Sequence, residues 1–144
     1  MPQIQQSKTR TAFITAGTKG IGLTIARAFA REGYNLVLTS RNPKQDEMFT
    51  QGDYFKDCKV ILLALELNNE GNIERAFQTA TQSLGSIDVL VNNAGIILRK
   101  SIIDVSWADW DEVMNANLKG AYFLSAQFAR HCLEKGQPGS IVNI

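Results

Sequence analysis

Three glycines, Gly17, Gly20 and Gly22, crowd the stretch TAGTKGIG, between an apolar run ending at Thr15 and an amphipathic stretch that continues to Ala30. Glycine lets a backbone take positive φ and approach a ligand closely, and the first N–H groups of a helix lack partners and carry a partial positive charge. A loop of this kind can hold a phosphate, with Thr18, Lys19 and Ile21 interleaved among the glycines and Lys19 adding a charge. The spacing is not G-x-G-x-x-G, so a glycine-rich turn that serves only tight strand–helix packing is the structural alternative. A second candidate is VLVNNAGI, where Asn92, Asn93, Ala94 and Gly95 close another apolar run. Asparagine amides both donate and accept, so they can tie neighbouring loops together and line a groove; a plain turn is the alternative. A third is Asn117 in NANLKG, an amide inside a helical pattern, which by itself can simply bond backbone.

Positioning these residues requires elements that the rest of the chain supplies. Apolar runs of strand length recur at Thr11 to Thr15, Asn35 to Thr39, Lys59 to Leu65, Ile87 to Val91 and Ser140 to Ile144. They lack clean alternation, which predicts strands covered on both faces, as in a parallel sheet. Helical stripes lie between them: Ile21, Ile25, Ala28 and Phe29 before Gly33; Ile73, Ala76, Phe77, Ala80 and Leu84 before Gly85; and Leu118, Ala121, Tyr122, Ser125, Phe128, Ala129 and Cys132 before Gly136. A shorter helix opens at Ser106, with Asp109 placed for a capping box and Trp107, Trp110 and Met114 forming an apolar face. Strand and helix in alternation predict right-handed crossovers and a doubly wound α/β domain. The polar stretch Arg41 to Asp57 reads as a loop or surface helix.

Composition narrows the function classes. The 144 residues suit one domain, with 44% hydrophobic and 20% charged residues. Fifteen Lys and Arg against 14 Asp and Glu give a net charge of +1, too small a field to argue for nucleic acid or an anionic membrane surface. No window reaches the roughly 18 to 20 apolar residues of a membrane span, and MPQIQQSKTR has no signal-peptide core, so the chain reads as cytoplasmic. Cys58 and Cys132 match no metal or redox spacing and read as buried free thiols, and the single His131 has no companions for zinc or a triad. No metal site is expected.

Together, TAGTKGIG, NNAG and NANLKG resemble the short-chain dehydrogenase/reductase family, in the family's order and over Thr11 to Ile144. The resemblance implies a Rossmann-type sheet that binds NAD or NADP and moves hydride between nicotinamide and a small-molecule carbonyl or alcohol. It implies cofactor contacts from Gly17 to Gly22, Ser40, Arg41, Glu66, Leu67, Asn93, Ala94 and Gly95, and a catalytic role for Asn117. The complete family member is implied to be a homo-oligomer. Two positions depart from the family pattern. Ala16 stands where relatives carry the first glycine, and a positive φ there would cost about 1 kcal/mol unless Gly17 absorbs it. Glu66 stands where relatives usually carry an aspartate that contacts adenine.

The end of the second strand predicts which cofactor. An acid there would bond a ribose hydroxyl and repel a 2′-phosphate; this chain has Ser40 and Arg41 instead. Arginine's planar fork suits phosphate, and Lys19 adds a second charge, so NADP is favoured with NAD as the alternative. The run NNAGIILRKSIIDVSWADWDEVMNANLKG is similar to sugar-acid dehydrogenases of the gluconate and deoxygluconate type, in which Arg99 and Lys100 could meet a substrate carboxylate. Reductases of 3-oxoacyl carrier protein share the same motifs. The family's later serine and Tyr-x-x-x-Lys do not occur: Tyr34, Tyr54 and Tyr122 are followed four residues on by Leu38, Cys58 and Ala126. The expectation is thus a single incomplete dinucleotide-binding domain over 1–144, truncated after its fifth strand and inactive alone. A non-catalytic dinucleotide-binding module and a decayed structural relative are the alternatives.

Overall fold

Every residue of β1 (Thr11–Ile14) is buried, which accounts for a run without a polar face. In the computed structural model, which describes residues 9–46 and 53–144, β1 is the middle of a five-stranded parallel sheet. It is followed by α1 (Gly20–Arg31), β2 (Asn35–Ser40), the short α2 (Pro43–Asp46) and a 3-10 turn at Asp53–Phe55. Next come β3 (Val60–Ala64), α3 (Glu70–Leu84), β4 (Val89–Asn92) and a 3-10 turn at Ile102–Asp104. Then α4 (Trp107–Met114) runs through a π-helical segment, Asn115–Gly120, into α5 (Ala121–Lys135), before β5 (Ser140–Asn143). Part of the polar stretch after β2, residues 47–52, lies outside the described residues, as do residues 1–8.

The strands stand in the order β3-β2-β1-β4-β5, the Rossmann-like arrangement in which the chain crosses from one side of β1 to the other. Phe13 sits opposite Val37 on one side and Leu90 on the other. The two-residue period of the strands splits the core into two layers. Phe13, Val37 and Leu90 face α3 and α5, where they join Ile73, Phe77, Leu124 and Phe128. Ala12, Ile14, Leu36 and Leu38 face α1 and meet Ala26, Ala30 and Phe55.

Three helix faces differ in part from their sequence stripes. In α1 the buried line is Gly22, Ala26 and Ala30, small residues at a spacing of four; Ile21 is 64% exposed, and Ile25 and Phe29 pack at the margin. Small side chains let the helix lie close to the sheet, so the bulkier residues are displaced to its flanks. In α5 the buried line is Leu124, Phe128 and His131, whereas Leu118, Tyr122 and Ala129 are exposed. Both lines pass through Phe128 within the regular helix, and contact with the sheet layer selects the one that carries Leu124. On α4 the capping box of Ser106 and Asp109 forms as expected, but Trp107 and Trp110 are exposed rather than packed. The α3 stripe lies where its periodicity put it, with Ile73, Ala76, Phe77 and Ala80 buried.

Both free cysteines are half-buried rather than fully buried. Burial raises each thiol pKa, aided by Asp57 at Cys58 and by Asp88 at Cys132, so neither is primed as a nucleophile. His131 is buried against the edge of Phe77, with ring centroids 5.7 Å apart, and its Nε2 accepts the N–H of Ile87 at 3.2 Å. Gln137 Nε2 donates to the Ile87 carbonyl at 3.0 Å, so side chains from α5 and the turn after it hold both polar groups of one buried peptide residue. Replacing His131 by Leu strands that N–H and is expected to lower the unfolding free energy by about 1–3 kcal/mol in urea titration.

Candidate functional site

The loops after β1 and β4 are laced together where the chain reverses its direction of travel across the sheet. Thr15, just past β1, accepts the N–H groups of Asn93 and Ala94 on its hydroxyl at 2.9 and 2.8 Å, and the hydroxyl donates to the Val91 carbonyl at 3.3 Å. In return Asn93 Nδ2 donates to the carbonyls of Thr15 and Ala16, at 3.0 and 3.3 Å. Asn92 turns elsewhere: its Nδ2 donates to Ser125 Oγ on α5 and Asn143 Oδ1 on β5, both at 2.9 Å. Asn93 therefore ties neighbouring loops together as expected, whereas Asn92 joins β4 to α5 and β5; neither lines the groove beside them, and Ala94 and Gly95 do.

That groove, about 670 Å³, runs over the carboxyl ends of β1 to β4, where open α/β sheets take ligands. Of the residues singled out by sequence, Thr18, Lys19, Ser40, Arg41, Glu66, Leu67, Ala94 and Gly95 line it. Gly17, Gly20, Ile21, Gly22, Asn93 and Asn117 stand behind or beside the wall. Gly17 is buried, and a Cβ there would come within 2.8 Å of Leu38 Cδ2. Gly22 packs where a Cβ would strike the Ala16 carbonyl and lie 2.6 Å from Asn93 Nδ2. Gly20 opens α1 at φ 55°. Gly22 permits close packing of α1 under the loop, Gly17 makes room for Leu38 of β2, and Gly20 serves the turn through its φ.

Ala16 carries φ 49°, alone among described non-glycine residues, whereas Gly17 is not among the positive-φ glycines. Gly17 therefore does not absorb the left-handed turn, and the alanine bears it. Asn69 and Ser106 cap α3 and α4 with their side chains, but Lys19 at the N-cap of α1 makes no such bond. The first turn of α1 begins beside the groove, and a helix start favours an anion. At the end of β2, the Ser40 hydroxyl is buried without a hydrogen-bond partner among the described residues, next to exposed Arg41.

Asn117 lies in the π segment and does not face the groove. Its Oδ1 accepts the N–H of Ile96 and its Nδ2 donates to the Ile96 carbonyl, both at 2.8 Å. The amide therefore fixes the backbone of Ile96, a groove residue, with one N–H and one oxygen lone pair. Gly120, at the end of the same segment, packs against Leu67 with no room for a Cβ. Lys100 forms an ion pair with Asp109, at 2.8 and 2.6 Å to its two oxygens, so of the two cations read as partners for a carboxylate it is already engaged. Arg99 is exposed and makes no ion pair among the described residues.

Sequence reasoning passed over Thr15 and the groove residues Asn42, Asn68, Ile96, Glu112 and Ala116. Asn42 and Ile96 adjoin motifs that had been recognised. Glu112 and Ala116 sit four residues apart, a spacing that puts two residues on one helix face, but nothing in the sequence says which face meets the groove.

A parallel sheet of this order with a laced switch point and a groove above it defines a Rossmann-type fold. Comparison with known proteins places it more narrowly. Residues 10–144 match the family model for short chain dehydrogenases, and the chain belongs to that family. It is 32% identical to a gluconate 5-dehydrogenase of Gluconobacter oxydans, over 92% of this chain and 52% of the relative. It is 31% identical to an NADP-dependent (R)-specific alcohol dehydrogenase of Lentilactobacillus kefiri, over 95% of this chain and 54% of the relative. A crystal structure of 3-ketoacyl-(acyl-carrier-protein) reductase from Brucella melitensis complexed with NADH superimposes with a TM-score of 0.81 at 27% identity, over 93% of this chain and 56% of that one. The chain thus spans about half the length of the relatives it matches.

Two outcomes follow from this geometry. Ala16→Gly relieves the left-handed alanine and is expected to raise the unfolding free energy by about 1 kcal/mol, read by urea titration. Hydrogen bonds from Lys100, and then from Ser106, hold the Asp109 carboxyl down to about 2, below its unfolded value of about 3.9. A depressed acid contributes stability above the unfolded value and loses it as pH falls through the folded one. The amide resonances of Ser106 and Asp109 should therefore hold steady from neutral pH to about 3 and move through a midpoint near about 2.

Proposed function

We propose that these residues form the nucleotide-holding domain of an oxidoreductase that transfers hydride between NADP(H) and a small carbonyl or alcohol. The observation that carries the cofactor choice is the end of β2. Ser40 presents a buried, unpartnered hydroxyl there, Arg41 follows it, Lys19 lines the same groove, and Ser40 and Arg41 stand where an acid would exclude a 2′-phosphate. The relative named as NADP-dependent supports this reading; the relative complexed with NADH makes NAD the alternative.

In this reading the start of α1 and the backbone of Gly17, Thr18, Lys19, Gly20 and Ile21 hold the pyrophosphate, while Gly22 sets the close approach of helix and loop. Ser40, Arg41 and Lys19 take the 2′-phosphate. Glu66 and Leu67 meet the adenine, and Ala94 and Gly95, held in place by Asn93, border the far side of the groove. Asn117 acts on the site by positioning the Ile96 backbone. The bound nicotinamide would supply or accept the hydride. Proton exchange with a substrate oxygen needs an acid–base group, and no tyrosine with a lysine four residues on occurs among the 144. The proposal for these residues by themselves is binding without turnover, with substrate chemistry and a homo-oligomeric state belonging to a longer protein. A sugar-acid substrate is favoured by the relative named gluconate 5-dehydrogenase, with Arg99 as the cation free to meet a carboxylate.

Titration of the purified chain with NADPH and NADH, followed by nicotinamide fluorescence, tests the reading. NADPH is expected to bind roughly tenfold or more tightly than NADH, and Arg41→Asp to reverse the order. Preference of the parent chain for NADH would overturn the cofactor assignment, and failure of a folded chain to bind either would overturn the function.

A further inference from the structure

Glu66, Leu67 and Asn68 line the groove after β3, and they belong to neither that strand nor the helix that follows. Their backbone is held from outside the groove. Asn72, on the first turn of α3, accepts the Glu66 N–H on its Oδ1 at 2.5 Å, and the Asn69 N–H donates to the Glu66 carbonyl at 3.2 Å. Asn72 itself does not line the groove. The cap of α3 is the work of a different side chain, since Asn69 Oδ1 accepts the N–H of Asn72 at 3.0 Å. Beyond Glu66, the N–H groups of Leu67 and Asn68 make no hydrogen bond among the described residues, so the wall that Asn72 holds carries backbone donors open to a ligand.

We propose that Asn72 is a positioning residue for the dinucleotide: its amide oxygen fixes the backbone from Glu66 to Asn68 before a ligand arrives, and so raises affinity without touching the ligand. The inference rests on the dinucleotide reading above and gives a role to a residue that lies outside the sequence motifs. Binding costs the ordering of whatever is loose in the free protein, and a wall already tied to α3 has that ordering done in advance. A role confined to the stability of α3 is separable from this one. Asn72 enters the cap only through its backbone N–H, which a leucine in its place would keep.

The test is the same fluorescence titration with NADPH, on variants shown to be folded by circular dichroism. Asn72→Leu removes the acceptor and keeps the cap, and its affinity is expected to fall roughly tenfold. Asn72→Asp keeps an acceptor of the same reach and should stay within about twofold of the parent. Asn69→Ala removes the cap and keeps the acceptor, so it should lower the urea midpoint while affinity stays within about threefold. Amide exchange of Glu66, followed by NMR, should quicken in Asn72→Leu and not in Asn72→Asp. Parent-like affinity in Asn72→Leu, an equal loss in Asn69→Ala, or a loss in Asn72→Asp that matches the leucine variant would each overturn the inference while leaving nucleotide binding intact. Failure of the folded parent to bind NADPH would overturn it together with the reading on which it rests.

Discussion

The reciprocal bonding of Thr15 and Asn93 is the interaction on which the rest of the site depends. One hydroxyl accepts two successive N–H groups and donates to a carbonyl of β4, while one amide spans two carbonyls of the opposite loop. Parallel strands diverge into separate crossovers at this point, so no ladder bond continues past it. Without the side-chain lacing, the carbonyls and N–H groups at the ends of β1 and β4 would need water or a ligand for partners. With it, the floor of the groove is set before anything binds, and the first turn of α1 is drawn against Asn93 so closely that only glycine fits at position 22.

Much of this architecture was legible from sequence. The apolar runs and their alternation with helices sufficed for the sheet: β1, β2 and β4 are buried on both faces, which removes polar alternation, whereas β5, read as covered, is exposed at every residue. The stripe on α3 was readable because its single buried face, Ile73, Ala76, Phe77 and Ala80, is apolar at the helical period. The faces of α1 and α5 were not, and for distinct causes. On α1 the side chains nearest the sheet are the smallest, so hydrophobicity points away from the true contact line. On α5 two lines, one through Leu124, Phe128 and His131 and one through Tyr122, Ser125 and Ala129, run side by side in the regular helix, and only tertiary placement selects the first. The loops that form the groove were found through their glycines and amides. Glu112 and Ala116 escaped because a helix far along the chain delivers them, and only tertiary placement tells one of its faces from another.

Ala16 marks a place where local chemistry and the demands of the fold disagree. The loop requires a left-handed residue directly after Thr15, whose hydroxyl and carbonyl are already committed to the lacing, and it takes that geometry with an alanine. The neighbouring glycine is occupied with a different constraint, the contact with Leu38. A glycine one position away thus gives no relief, because its freedom is spent on space and not on φ.

The π segment between α4 and α5 has a consequence for the length of the chain as well as its composition. Each residue of a helix advances the face by about 100°, so removing one residue from NANLKG and letting it close into regular α-helix would turn α5 by that angle about its axis. Leu124, Phe128 and His131 would swing off the sheet, and Asn117 and Gly120 would no longer address Ile96 and Leu67 together. The segment works as a phase adjuster between two rigid rods, one keyed to the loop after β4 and the other to the core. Its residue count is therefore as constrained as its asparagine.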